Sequence, residues 1–169
     1  DPAVLKTFEK ETGIRVKYST YESNEAMFAK LKIIRKNGYD VVFPSTYFVE
    51  RMRKLNMLKP LDRARLTNLK HTDPKLLNKP YDPNNVYSVP YLWGSSAIGV
   101  NAKYIKPSSV RSFDDLWSPA YKGKLLLMDD MRDVFAMSLR SLGYSGNDTN
   151  PEHIKAAYLK LLKLKPGVK

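Results

Sequence analysis

Cysteine is absent from the 169 residues, which removes thiolate metal sites, thiol nucleophiles and disulfides from consideration. Long hydrophobic runs are missing too. The longest are short stretches such as Leu125-Leu126-Leu127-Met128, far below the roughly 18 residues needed to cross a bilayer. There is no Gly-rich phosphate loop, no Gly-x-Ser-x-Gly elbow, no internal repeat and no low-complexity tract. The two histidines, His71 and His153, lie in a polar loop and near a helix start without ligand spacing, and both are expected at the surface. No leader is legible at the start. The chain opens Asp1-Pro2-Ala3 without Met, which suits a processed or truncated chain.

What is present is a globular composition. Hydrophobic residues make up 43% and charged residues 27%, with mean hydropathy −0.45, which excludes a disordered chain. The net charge is +12 and the pI near 9.7, so nucleic acid, anionic surfaces and acidic substrates are candidate partners on charge alone. Patterning argues against them. Residues 1–93 hold 17 basic and 10 acidic groups, and residues 94–169 hold 12 and 7, so the excess is spread and forms no basic arm. The densest run, Arg51-Met52-Arg53-Lys54, falls in an amphipathic pattern and reads as a solvated helix face.

Asp1 and Pro2 open a helix that Gly13 stops. Alternation in Ile14-Arg15-Val16-Lys17-Tyr18 predicts a strand, and Met27, Leu31 and Ile34 predict a helix running to about Gly38, capped by Ser23 or Asn24. Val41-Val42-Phe43 reads as a buried strand before a helix from about Tyr47. Short helical turns packed by leucines are expected from Lys59 to Asn85. Val86-Tyr87-Ser88-Val89, Ala97-Ile98-Gly99-Val100 and Lys124–Met128 read as further strands, with a crossover between lobes at Pro90–Ser96. Ser112 and Asp115 form a capping box for a short helix. A helix from about Asp130 carries Val134, Met137 and Leu142 and stops at Gly143, and a last one begins near Thr149-Asn150-Pro151-Glu152 with Ile154, Tyr158 and Leu161 inward. This order predicts an α/β fold with an open, largely parallel sheet.

In such sheets ligands bind beyond the carboxyl ends of the strands. Those ends deliver Thr20-Tyr21-Glu22-Ser23, Ser45-Thr46-Tyr47 and Asp129-Asp130, with Asp133 one turn further along. Hydroxyls, phenols and carboxylates suit a cation, because carboxylates pair with ammonium groups and tyrosine faces attract them. Each has a plainer role as well: Tyr47 as a core aromatic at a helix start, Asp130 as a helix cap. Asp129-Asp130-Met131-Arg132-Asp133 also matches the Asp-Asp-x-x-Asp pattern of magnesium-diphosphate sites, but lacks the helical cavity and second motif that such a site requires.

Several longer motifs carry a family resemblance. Phe8-Glu9-Lys10-Glu11-Thr12-Gly13-Ile14, Pro44-Ser45-Thr46-Tyr47, Pro90-Tyr91-Leu92-Trp93-Gly94 and Leu142-Gly143-Tyr144-Ser145-Gly146-Asn147 closely resemble the spermidine/putrescine-binding proteins of bacterial ABC uptake systems, in that family's order and over essentially the whole chain. The resemblance implies an α/β, periplasmic-binding-protein-like (type II) fold with two lobes of mainly parallel open sheets and flanking helices. Residues 1–93 would belong to the first lobe and 94–169 to the second, reached near Trp93–Ser96. It implies a periplasmic, monomeric polyamine carrier that serves an inner-membrane permease, with no catalysis, cofactor, metal or nucleic acid. By position, Ser45 and Tyr47 match first-lobe ligand contacts, and Asp130 and Asp133 match the acidic pair of the second lobe. The family commonly has Glu where Asp133 stands, one methylene longer, which bears on diamine against triamine preference. Members are about twice as long, so the chain reads as a fragment. A different cationic solute on the same scaffold, or a basic nucleic-acid-binding domain, are the alternatives. With a net charge of +12, local carboxylates must outweigh the global field, which salt screens beyond about 8–10 Å.

Overall fold

Five α-helices and a series of 3-10 turns organise the described residues, 2–34 and 38–169, of the computed structural model. The chain divides into two compact units, Asp1–Asp40 and Val41–Lys169. None of the helices among the described residues is long and apolar enough to cross a membrane.

In the first unit, α1 (Pro2–Thr12) ends where Gly13 adopts φ +71° and its N–H donates to the Glu9 carbonyl, the left-handed stop that only glycine takes without strain. In α2 (Asn24–Ile34) the hydroxyl of Ser23 accepts from the Ala26 N–H at 3.2 Å, which makes Ser23 the cap. Met27 and Phe28 are its buried residues, while Ile34, expected inward, is exposed. The expected cap at Asp1 and the expected stretch of α2 across 35–37 lie outside the described residues.

In the second unit, α3 (Thr46–Lys54) buries Phe48, Val49 and Met52. Its cations Arg51, Arg53 and Lys54 fill the last turn, where positive charge complements the helix dipole. Arg53 also donates to the Tyr81 carbonyl at 3.2 Å, so the basic run is only partly a solvated face. The expected turns between Lys59 and Asn85 are present as 3-10 turns at Arg63–Arg65, Thr67–His71, Pro74–Leu76 and Pro83–Asn85, the first and third capped by the carboxylates of Asp62 and Asp73.

The main core lies where α4 (Met131–Ser141) crosses α5 (Pro151–Leu164) and the 3-10 turn Phe113–Trp117 closes over them. Leu116, Met137 and Leu164 are buried there against Ile98, Phe113, Trp117, Leu125, Leu127, Leu161 and Val168. The turn is opened by Asp115, whose carboxylate accepts from the N–H groups of Arg111 and Ser112; these bonds hold its pKa below the usual value. The indole N–H of Trp117 donates to the Lys160 carbonyl at 2.9 Å, and the Lys160 ammonium lies over the Trp117 ring and pairs with Asp114.

On α5 the inward face is Ala157, Leu161 and Leu164. Ile154 and Tyr158, expected inward, are 37% and 50% exposed. The helix is rotated because α4 offers a small residue, Ser138, whose hydroxyl donates to the Ala157 carbonyl at 2.9 Å; both residues are fully buried. Close approach of two helices through small side chains excludes Ile and Tyr from that seam. Ser138→Ala should cost about 1 kcal/mol in urea denaturation, the net worth of one buried hydrogen bond. No change in midpoint would mean that shape alone sets the seam.

The expected strands are the main difference. Among the described residues, 14–18, 41–43, 86–89, 97–100 and 124–128 form no hydrogen-bonded ladder. Only isolated bridges occur, Leu125 parallel to Val168 and Lys79 antiparallel to Asp82. Val41, Phe43, Leu126 and Met128 are 57–86% exposed. Alternating apolar residues set which face a strand buries, but a ladder also needs a neighbouring strand in register.

Candidate functional site

Ser45 and Tyr47 are delivered by the start of α3, and Asp130 and Asp133 by the start of α4, all within the second unit. Ser45 occupies the N-cap position with extended φ/ψ, but caps through its backbone: its carbonyl accepts from the N–H groups of Phe48 and Val49, and its exposed side chain does not cap. Tyr47, half-buried against Phe48, donates its phenol proton to Asp130 Oδ2 at 2.9 Å. Two residues 83 positions apart therefore meet directly.

Asp130 fills both of the roles its sequence position offers. Oδ1 accepts from the N–H groups of Arg132 (2.9 Å) and Asp133 (3.1 Å), capping α4, while Oδ2 takes the Tyr47 hydroxyl. One oxygen secures the helix and the other faces the phenol. Asp133 is half-buried, and its Oδ2 accepts from Ser96 Oγ at 2.9 Å. Ser96 is a site contact that sequence reasoning missed; it was assigned only to the crossover. Arg132 was missed as well, and its guanidinium stands over the Tyr47 ring, 4.8 Å from the centroid.

The other strand-end group, Thr20 to Ser23, belongs to the first unit. There Ser23 caps α2, and burial raises the pKa of Tyr21 above its ordinary value, with a smaller contribution from Tyr18. His71 is exposed as expected. His153 is not simply a surface residue: it is half-buried, stacks on Tyr144 at 3.8 Å and contacts Asp148 through Nδ1 at 2.9 Å. Among the described residues no cluster of three or more potential ligands is arranged to hold a metal, and within Asp129-Asp130-Met131-Arg132-Asp133 the Asp130 carboxylate serves a cap and a phenol while that of Asp133 takes a serine hydroxyl.

An apolar groove of about 330 Å³ lies between α4 and α5, lined by Leu127, Phe135, Leu161 and Val168, with Lys165 as its only charged group. Its lining offers a cation no carboxylate. The Tyr47–Asp130–Asp133 cluster does, combining an aromatic face, two carboxylates and the Ser96 hydroxyl.

Residues 3–168 match the family described as bacterial extracellular solute-binding protein. The chain belongs to this family. It is 59% identical over 167 residues to the spermidine/putrescine-binding periplasmic protein of Escherichia coli K12, covering 99% of this chain and 48% of that protein. Among solved structures it superposes with TM-score 0.92 and 41% identity on one described as a spermidine/putrescine ABC transporter from Listeria monocytogenes, covering 100% of this chain and 52% of that one. A lipoprotein of Treponema pallidum gives TM-score 0.88 at 35% identity, covering 99% and 52%. The chain thus spans about half the length of these relatives and has the fold of the matching part of solute-binding proteins. The relatives' names describe binding and transport, not catalysis.

Proposed function

We propose that this chain is part of a periplasmic solute-binding protein that captures polyamines for an ABC uptake system. The observation that carries the reading is the Tyr47–Asp130 contact beside Asp133: a tyrosine face and two carboxylates gathered from helix starts far apart in sequence. A protonated amine of spermidine or putrescine fits that set, one ammonium against the Tyr47 ring and Asp130 and another against Asp133, with the hydroxyls of Ser45 and Ser96 beside the chain. The names of the relatives support the same ligand class.

In this reading the protein performs no catalysis. It holds its solute between two lobes, each built on a mainly parallel sheet of the type II arrangement, with residues 1–93 and 94–169 contributing to different lobes and the chain crossing near Trp93–Ser96. Hinge closure then presents the loaded carrier to an inner-membrane permease. It acts as a monomer.

The test is a calorimetric titration of spermidine and putrescine into the protein as its gene encodes it. Saturable one-to-one heat is expected for at least one of them. A folded protein that gives none, but responds to another metabolite in a competition panel, would show that the scaffold serves a different solute.

A further inference from the structure

Arg132 stands where a cationic ligand would stand. Its guanidinium covers the face of Tyr47, 4.8 Å from the ring centroid, within the roughly 6 Å at which such a contact is attractive. The ring is held for it, because the Tyr47 hydroxyl is tied to Asp130 Oδ2 and Asp130 Oδ1 holds the backbone N–H of Arg132 itself.

Two further observations set this arginine apart. It is the second residue of α4, in the first turn, where the positive end of the helix dipole disfavours a cation and favours the aspartates on either side. Helix stability therefore does not explain its presence. It also makes no ion pair within 4 Å among the described residues: the Lys and Arg ion pairs there are Lys54–Glu50, Arg65–Asp62 and Lys160–Asp114. Its charge is nevertheless felt across the site. Glu50, one turn beyond Tyr47 on α3, has its pKa held below the usual value mainly by Lys54, with smaller contributions from Arg53 and Arg132.

We infer that Arg132 is a tethered competitor for the ligand: in the free protein its guanidinium occupies the Tyr47 face, and an incoming ammonium group must displace it. The inference rests on the polyamine reading of the same site. The exposed side chain can swing into solvent on a long flexible stem, so displacement needs no change in the backbone. The arginine thereby raises the concentration of polyamine needed for loading, and its removal strengthens binding.

The experiment compares the whole protein with its Arg132→Gln and Arg132→Lys variants by calorimetric titration of spermidine, together with the Arg132 Nε–Hε resonance by NMR. Arg132→Gln should bind spermidine about two- to five-fold more tightly, the range expected for one exposed cation–π contact no longer displaced. Arg132→Lys, which retains a cation able to reach the ring, should fall short of that gain. In the free wild-type protein the Nε–Hε proton should be shifted upfield by the Tyr47 ring current, and the shift should vanish on saturation with spermidine and in Tyr47→Leu. Equal or weaker binding by Arg132→Gln, beside a wild-type protein that does bind, overturns the competitor role and leaves the polyamine reading standing. Absence of the upfield shift in the free protein overturns it as well. If neither wild type nor variant binds spermidine at millimolar concentration, the polyamine reading falls and the competitor role with it.

Discussion

Asp130→Asn should weaken spermidine binding by at least about 2 kcal/mol, close to thirtyfold, while costing the fold less than about 1 kcal/mol. The two effects separate because Asp130 uses its two oxygens differently. Oδ1 caps α4 through the N–H groups of Arg132 and Asp133, and asparagine is as good a cap as aspartate. Oδ2 holds the Tyr47 hydroxyl. In the variant an amide N–H₂ stands there, which can donate to the phenol oxygen and keep the geometry, but the negative charge that pairs with an ammonium group is gone. Asp130→Ala should lose the cap too and cost the fold about 1 kcal/mol more. Titration calorimetry and urea denaturation on the same samples give both numbers. Unchanged spermidine affinity in Asp130→Asn would remove Asp130 from the ligand site and leave it as a cap.

Asp82→Ala should destabilise the protein by about 3 kcal/mol, more than any surface carboxylate in the chain, because its partners have no substitute. Asp82 is fully buried. Its Oδ2 accepts from the N–H groups of Tyr87 (3.0 Å) and Ser88 (2.7 Å) and from the Ser88 hydroxyl (2.6 Å), and Oδ1 accepts from the Val86 N–H (3.2 Å). Alanine leaves three backbone donors and a hydroxyl to find new partners in a half-buried loop. The loop depends on those bonds to hold its shape, since Asn78, Asn84 and Asn85 all sit at φ between 49° and 60°, a conformation that asparagine tolerates and that alone does not favour one structure. The Asn78 N–H donates to Asn85 Oδ1, the Asn84 N–H to Asn78 Oδ1 and the Asn85 amide to the Ser88 carbonyl, closing a net across the loop. Urea denaturation with the slope held constant measures the loss. A loss below about 1 kcal/mol would mean that water readily replaces the carboxylate.

These two aspartates also mark how far local sequence carries. Asp130 stands before an amphipathic run, where a cap is expected, and the structure uses it as one. Asp82 lies in a stretch of Pro and Asn that reads only as turns. Its burial depends on donors four to six residues ahead converging on one point, which no periodicity encodes. The candidate site divides in the same way. Strand-end reasoning and the family resemblance pointed to Ser45, Tyr47, Asp130 and Asp133, and the structure brings Tyr47 to Asp130. Ser96 and Arg132 escaped because one lay in a presumed connection and the other in the variable position of an acidic motif. The signal that could have found Arg132 was its place in the first turn of a helix, against the dipole.

The sequence by itself determined where most helices begin and end, because caps, glycine stops and apolar spacing act over a few residues: Gly13 after α1 and Gly143 at φ +81° after α4, with Ser23 settled by the structure over Asn24 as the cap of α2 and Asn150 as that of α5. It also determined the family, through motifs that run the length of the chain. Only the tertiary structure decided which face of α5 turns inward, since Ile154-Tyr158-Leu161 and Ala157-Leu161-Leu164 are equally helical in spacing and the choice rests on the close seam between Ser138 and Ala157. It decided too that the strand-like segments stand without ladders among the described residues, and that a phenol, two carboxylates and an arginine share one place. Pairing, packing and convergence are contacts between residues distant in sequence, and their energies depend on neighbours that no local pattern names.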